Sequence, residues 1–397
     1  MIRLRVPLLT LAACAVAGAV LFWDVQRRAA ESIEAHRREV DATFSQGQDQ
    51  RRGRPPVFDP PAPGNAWDAY AAALKEIHDS PGNQAYILSN NLKLDDPAEE
   101  LAAQQGVLDR LRAAFRQPAT PSTDPEKFTE HTLGILRYLT EIAERLAANG
   151  RDRASMDVLI VVFALGQDYI RFGTEEFASQ SFLFLTFGAM AGLRALDGHG
   201  LGSADLDVLC ASFDQLAPTR PTLSQTIEWG RLEWKRVTLS QALPDEALLK
   251  ERTWKDFGSR TLFHARVLSE IDAHHLANAE WGRRPSWERV KPNPRALETC
   301  AAAAEYFNTH FCCVSDLDYH KEVDALEHLA LLRIAMALAW HEAEKGKPAA
   351  SLQALLPRYL KEVPVSPLDG KPFGYADGVL SSRDLKGKVS EWRVTRR

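Results

Sequence analysis

An all-α body with one N-terminal transmembrane helix and a small C-terminal α+β hairpin element is the fold class predicted for this chain. Three observations predict it. Helical periodicity recurs between short turns, without strand-like alternation, from Asn65 to Gly346. An 18-residue run from Val6 to Trp23 carries no charge. The last fifty residues change to short apolar runs punctuated by Pro and Gly. The expected divisions are an anchor over 1–28, a charged stalk and Pro-rich linker over 29–64, an antiparallel multi-helix body over 65–346, and a tail over 347–397.

A membrane-crossing helix needs about 20 mostly apolar residues, with a lower limit near 17. Val6–Trp23 meets that limit between Arg3 and Arg5 on one side and Asp24, Arg27 and Arg28 on the other. An aromatic at its end suits the headgroup zone, so the run reads as a signal anchor. Two other readings compete: a cleaved signal peptide, for which no polar mature start follows, and lipoprotein processing at Leu11-Ala12-Ala13-Cys14, after which the chain stays apolar. The short head ahead of the run favours a body on the extracytoplasmic side of the inner membrane, while Arg27, Arg28, Arg37 and Arg38 weigh the other way. Residues 1–30 hold four Arg and one Asp, so the remainder carries −8 where the whole chain carries −5. An acidic body is not drawn to anionic lipid, and the anchor alone is expected to hold it at the membrane.

Residues 24–50 alternate in charge and read as a helical stalk. Pro55, Pro56, Pro60, Pro61 and Pro63 then fix φ and remove donors, which predicts an extended spacer. Asn65 is the expected N-cap of the first body helix. Ile135, Leu139, Ile142 and Leu146 recur on one helical face that closes at Gly150. Val158–Phe172 is apolar nearly all round and ends at Gly173, and Thr174 is placed to cap a helix running to Leu196 with Phe177, Phe182, Phe184 and Phe187. Asp168, Arg171 and Arg194 interrupt these two segments, which favours central core helices over a membrane hairpin. Further helices are expected over Pro221–Leu243, around Leu262–Leu276, over Ala296–Phe311 and over Asp316–Lys345, the last stopping at Gly346-Lys347-Pro348. A short amphipathic helix is expected from Ser351, and Asp377-Gly378 signals a hairpin.

The run Gly346, Pro348-Ala349-Ala350-Ser351-Leu352, then Pro364-Val365-Ser366-Pro367-Leu368-Asp369-Gly370-Lys371-Pro372-Phe373-Gly374-Tyr375 resembles a module of uncharacterised bacterial membrane-anchored envelope proteins, and the last fifty or so residues are similar to the C-terminal segment of type II secretion major pseudopilins. Ser366-Pro367-Leu368-Asp369 replaces the compact Asp-Pro of that pattern, no acidic calcium loop follows, and the N-terminus lacks the pseudopilin start. The resemblance implies an anchored envelope protein and does not imply pilus assembly.

The composition narrows the chemistry. With 48 Lys and Arg against 53 Asp and Glu, and five cysteines, the chain is neither a strongly basic nucleic-acid binder nor a disulfide-dense scaffold. Cys312 and Cys313 are adjacent and poorly placed to bridge each other. A metal candidate is His320, Asp324 and His328 on one helical face, with Glu327 beside them. Its end ligands stand ~12 Å apart at 1.5 Å per residue, so a closed site would need donors such as His274 or His275. A glycan-cleaving candidate is Glu228 with Glu233, among Trp229, Trp234, Trp254, Trp281 and Trp287. Residues five apart diverge by about 140° on a helix, and Arg231 and Arg236 are spaced for simple ion pairs with the two glutamates. Gly198-His199-Gly200-Leu201-Gly202 lies between helices and reads as a flexible connector, and no nucleophile elbow, phosphate loop or dinucleotide fingerprint occurs. These features lean away from an enzyme, and no cofactor is expected. The expected role is a membrane-anchored envelope protein with a non-enzymatic binding or scaffolding body and an envelope protein as partner. The alternatives are an envelope hydrolase acting on glycan or peptide, and an accessory of a secretion or pilin-like system.

Overall fold

The computed structural model describes residues 5–44, 53–89, 97–120, 125–172, 175–240, 260–284, 286–289, 316–383 and 388–396. Those residues are mostly helical, with a small antiparallel sheet near the end of the chain. The helices are α1 (Arg5–Phe44), α2 (Ala66–Asp79), α3 (Pro81–Ser89), α4 (Pro97–Ala114), α5 (Pro125–Ala148), α6 (Asp152–Phe172), α7 (Glu175–Leu196), α8 (Ser203–Leu216), α9 (Leu223–Ser240), α10 (Arg260–Gly282) and α11 (Asp316–Lys345). The chain divides into two compact units, one of residues 1–46, 228–278 and 293–313, the other of 47–227, 279–292 and 314–397, with boundaries inside α9 and α10.

The larger unit holds one continuous apolar core. In it α6 is buried on nearly every face, as its all-round apolar sequence predicts. α7 packs against α5, α6 and α11. Close approach is possible because α7 carries glycines at the crossings: a Cβ on Gly188 would meet Phe163 at 2.9 Å, and one on Gly192 would meet Leu332 at 2.9 Å. Several expected boundaries hold. Asn65 caps α2 by accepting from the Trp67 amide at 3.2 Å. Gly150 (φ 71°) follows α5, where the Arg151 amide reaches back to Leu146 O at 2.9 Å. α11 spans Asp316–Lys345 and ends at Gly346 (φ 69°). Gly173, Thr174 and the expected helix over Ala296–Phe311 lie outside the described residues.

Three expectations need correction. The Pro-rich spacer contains no helix, yet it is a docked part of the larger unit. Arg54 and Ala119 exchange both backbone hydrogen bonds (2.9 and 3.0 Å), and the amides of Val57 and Ala62 donate to Phe115 O and Arg116 O. Proline removes donors from this segment, and the donors that remain at these positions find carbonyls in the segment that follows α4. The expected amphipathic helix from Ser351 is only a 3₁₀ turn, Leu352–Leu355, because Leu356 precedes Pro357 and takes an extended conformation (ψ 146°). The glycine-rich connector is partly a strand: β1 (Asp197–His199) pairs in parallel with β5 (Thr395–Arg396), His199 is fully buried, and the Gly200 amide donates to Asp152 at 2.7 Å.

The tail forms the sheet β2 (Gly374–Ala376), β3 (Val379–Arg383) and β4 (Val389–Arg393), all antiparallel. Asp377 (φ 51°) and Gly378 (φ 78°) make the two-residue turn between β2 and β3 that the Asp-Gly pair predicts. Among the described residues no helix is long and apolar enough to cross a membrane. The side chains of residues 1–13 lie outside that description, so the run Val6–Trp23 falls partly beyond it.

Candidate functional site

The densest polar constellation of the smaller unit joins α1, α9 and α10. Lys235 on α9 is fully buried, and its ammonium pairs with Glu39 of α1 at 2.7 Å and with Asp272 of α10. Arg231, one turn earlier on α9, donates to the same two carboxylates, at 2.8 Å to Glu39 and 2.6 Å to Asp272. His36, one turn before Glu39, places Nδ1 3.5 Å from Asp272. Helical spacing explains the convergence: His36 and Glu39 share a face of α1 at i,i+3, and Arg231 and Lys235 share a face of α9 at i,i+4.

Electrostatics follow from this geometry. Burial opposes ionisation of Glu39, but hydrogen bonds from Lys235 and Arg231 outweigh it, and its carboxyl lies below the ordinary glutamate range. Burial, then the nearby Lys235, holds the His36 imidazole below its ordinary value. Ligand atoms of His36, Glu39 and Asp272 lie within 4.8 Å of one another, close enough for one metal ion. However, two cations already answer the two carboxylates, so a divalent ion would add uncompensated charge to a balanced, half-buried group. The arrangement is chemically a clamp: it fixes the charged half of α1 onto α9 and α10.

Glu228 lies half-buried on α9, and the side chain of Glu233 is outside the described residues. Arg231, spaced to pair with Glu228, donates to Glu39 and Asp272. Trp229 and Trp234 belong to the smaller unit, Trp281 and Trp287 to the larger, and Trp254 is not described. On α11, His320 is half-buried, His328 turns Nδ1 to the Asp324 carbonyl at 2.8 Å, and its ring packs edge-on against Trp392 at 6.1 Å. His320, Asp324 and His328 do not draw together as a ligand group. His274 and His275 are engaged within α10, with Asn278 and the Ile271 carbonyl. Glu327, noted only as a neighbour of these residues, is 1% exposed and accepts from Ser366 and Ser382 of the tail.

Sequence reasoning passed over Glu39, Lys235 and Asp272. The available signal was Lys235 standing three residues after Leu232 on a helix whose buried stripe it continues. Compared with family models, with curated proteins and with solved structures, the chain matches none.

Proposed function

We propose that this chain is a single-span envelope protein, held in the inner membrane by Val6–Trp23, whose helical body on the extracytoplasmic side binds or scaffolds another envelope protein. The observation that carries this reading is the continuity of α1. One helix runs from Arg5 to Phe44, and its charged half is clamped by Lys235 and Arg231. A tether that only held the body near a surface would need no such attachment, whereas a helix fixed by ion pairs to a buried lysine orients what it carries. Support from the sequence is the uncharged run of sufficient length and the likeness of the tail to modules of anchored envelope proteins. The charged side chains brought together in the smaller unit neutralise one another, which suits attachment better than catalysis.

Alkaline carbonate extraction tests the reading. Full-length protein is expected in the membrane pellet and to need detergent for release, while a chain lacking residues 1–23 is expected in the soluble fraction. Full-length protein in the carbonate supernatant overturns it.

A further inference from the structure

Glu327 occupies an unusual position for a buried acid. Carboxylates taken out of water are normally paired with a cation, yet among the described residues no lysine or arginine pairs with Glu327. Two neutral hydroxyls answer it instead: Ser366 Oγ donates at 2.7 Å, and Ser382 Oγ donates to the other carboxylate oxygen. Burial pushes the Glu327 carboxyl above the ordinary glutamate range, partly offset by these two serines.

Both serines line a cavity of about 430 Å³ in the tail, together with Asp369, Lys371, Ser381 and Arg383. That volume lies in the range of about 300–1,000 Å³ that takes small molecules. Each serine proton is committed to Glu327, so toward any further partner each oxygen has only lone pairs left and can only accept. The Leu368 amide donates to Ser366 Oγ at 3.1 Å and leaves that oxygen its second lone pair. The carboxylate behind the serines adds negative potential to that wall. Elsewhere in the lining the balance reverses. Asp369 is engaged with Lys371, through the amide at 2.9 Å and the ammonium at 3.6 Å. Arg383, at the end of β3, is exposed, and its guanidinium has no partner among the described residues.

We propose that this cavity binds a small zwitterion, a free amino acid or short peptide, with its ammonium on the Ser366 and Ser382 oxygens in front of Glu327 and its carboxylate on Arg383. A purely anionic ligand would face the buried carboxylate, and a purely cationic one would face the Arg383 guanidinium. A ligand carrying both charges answers both walls: an ammonium supplies donors to oxygens that can only accept, and a guanidinium offers a carboxylate two parallel N–H groups. Gly374 preserves the lining, because a Cβ there would collide with Ser381 Oγ. The inference concerns the tail and is independent of how the chain is anchored.

Isothermal titration of the full-length protein in detergent, with glycine, Gly-Gly and Gly-Gly-Gly as probes, tests it. At least one probe is expected to bind saturably below about 10 mM, and N-acetylation or C-terminal amidation of that probe is expected to weaken binding about tenfold or more. Arg383→Ala should weaken the uncapped probe about tenfold and leave the amidated one unchanged. Glu327→Gln should weaken the uncapped probe and leave the acetylated one unchanged. The proposal is overturned if a cooperatively folded chain binds none of the three probes, if capped probes bind as tightly as uncapped ones, or if Arg383→Ala binds the uncapped probe like the parent.

Discussion

Arg54 shows how a single side chain converts a proline-rich stretch into part of a core. It is 4% exposed, its guanidinium meets Asp168 bidentately at 2.6 and 2.7 Å, and Tyr70 donates to the same carboxylate at 2.6 Å. Asp168 is one of the charges that argue against a membrane hairpin, and its burial in α6 is compensated by a residue 114 positions earlier. Breaking such a pair leaves an uncompensated buried charge. Arg54→Met is therefore expected to cost about 3–5 kcal/mol in chemical denaturation, and the double variant Arg54→Met, Asp168→Leu to recover most of that loss. Glu327 gives the opposite sign. Its folded-state pKa is raised, so its contribution is fully present below the ordinary value of 4.5 and is lost as pH rises through the folded-state value. Thermal melts of parent and Glu327→Gln should run together below about pH 4 and separate above it, with the glutamine variant the more stable at pH 7.

Among elements, α1 is the one whose role changes most between sequence and structure. Charge alternation over 24–50 reads as a helical stalk, and one turn of it, His36 to Glu39, is half of a polar network closed over a buried lysine. Lys235→Met removes the ammonium and leaves Glu39 and Asp272 with Arg231 alone. The expected outcome is a loss of about 1–3 kcal/mol, because the carboxylates left behind are partly exposed and keep Arg231, together with faster amide exchange across residues 34–44, read by hydrogen–deuterium exchange. Exchange there that matches the parent would show that apolar packing, through Val40 and Ala29, holds the helix without the clamp. The tail strands make a related point: β5 pairs with β1 across nearly two hundred residues of chain, so no local pattern could announce β1 as a strand.

For the whole molecule, the larger unit has a continuous apolar core, while the polar clamp lies in the smaller. Two compact units of this kind are expected to melt in two calorimetric transitions. Arg54→Met should lower one transition and Lys235→Met the other. A single transition moved equally by both variants would show one cooperative body.

Local physics made much of this chain legible in its sequence: helix spans with their caps at Asn65, Gly150 and Gly346, the all-round apolar α6, and the Asp377-Gly378 turn. These depend on periodicities and dihedral preferences that act within a few residues. Tertiary structure alone decided which charges meet. Glu39, Lys235 and Asp272 come from three helices, Arg54 and Asp168 from a spacer and a core helix, and Glu327, Ser366 and Ser382 from a helix and the tail. A hydrogen bond is sensitive to ångström-scale placement across a fold, and spacing along one helix cannot encode it.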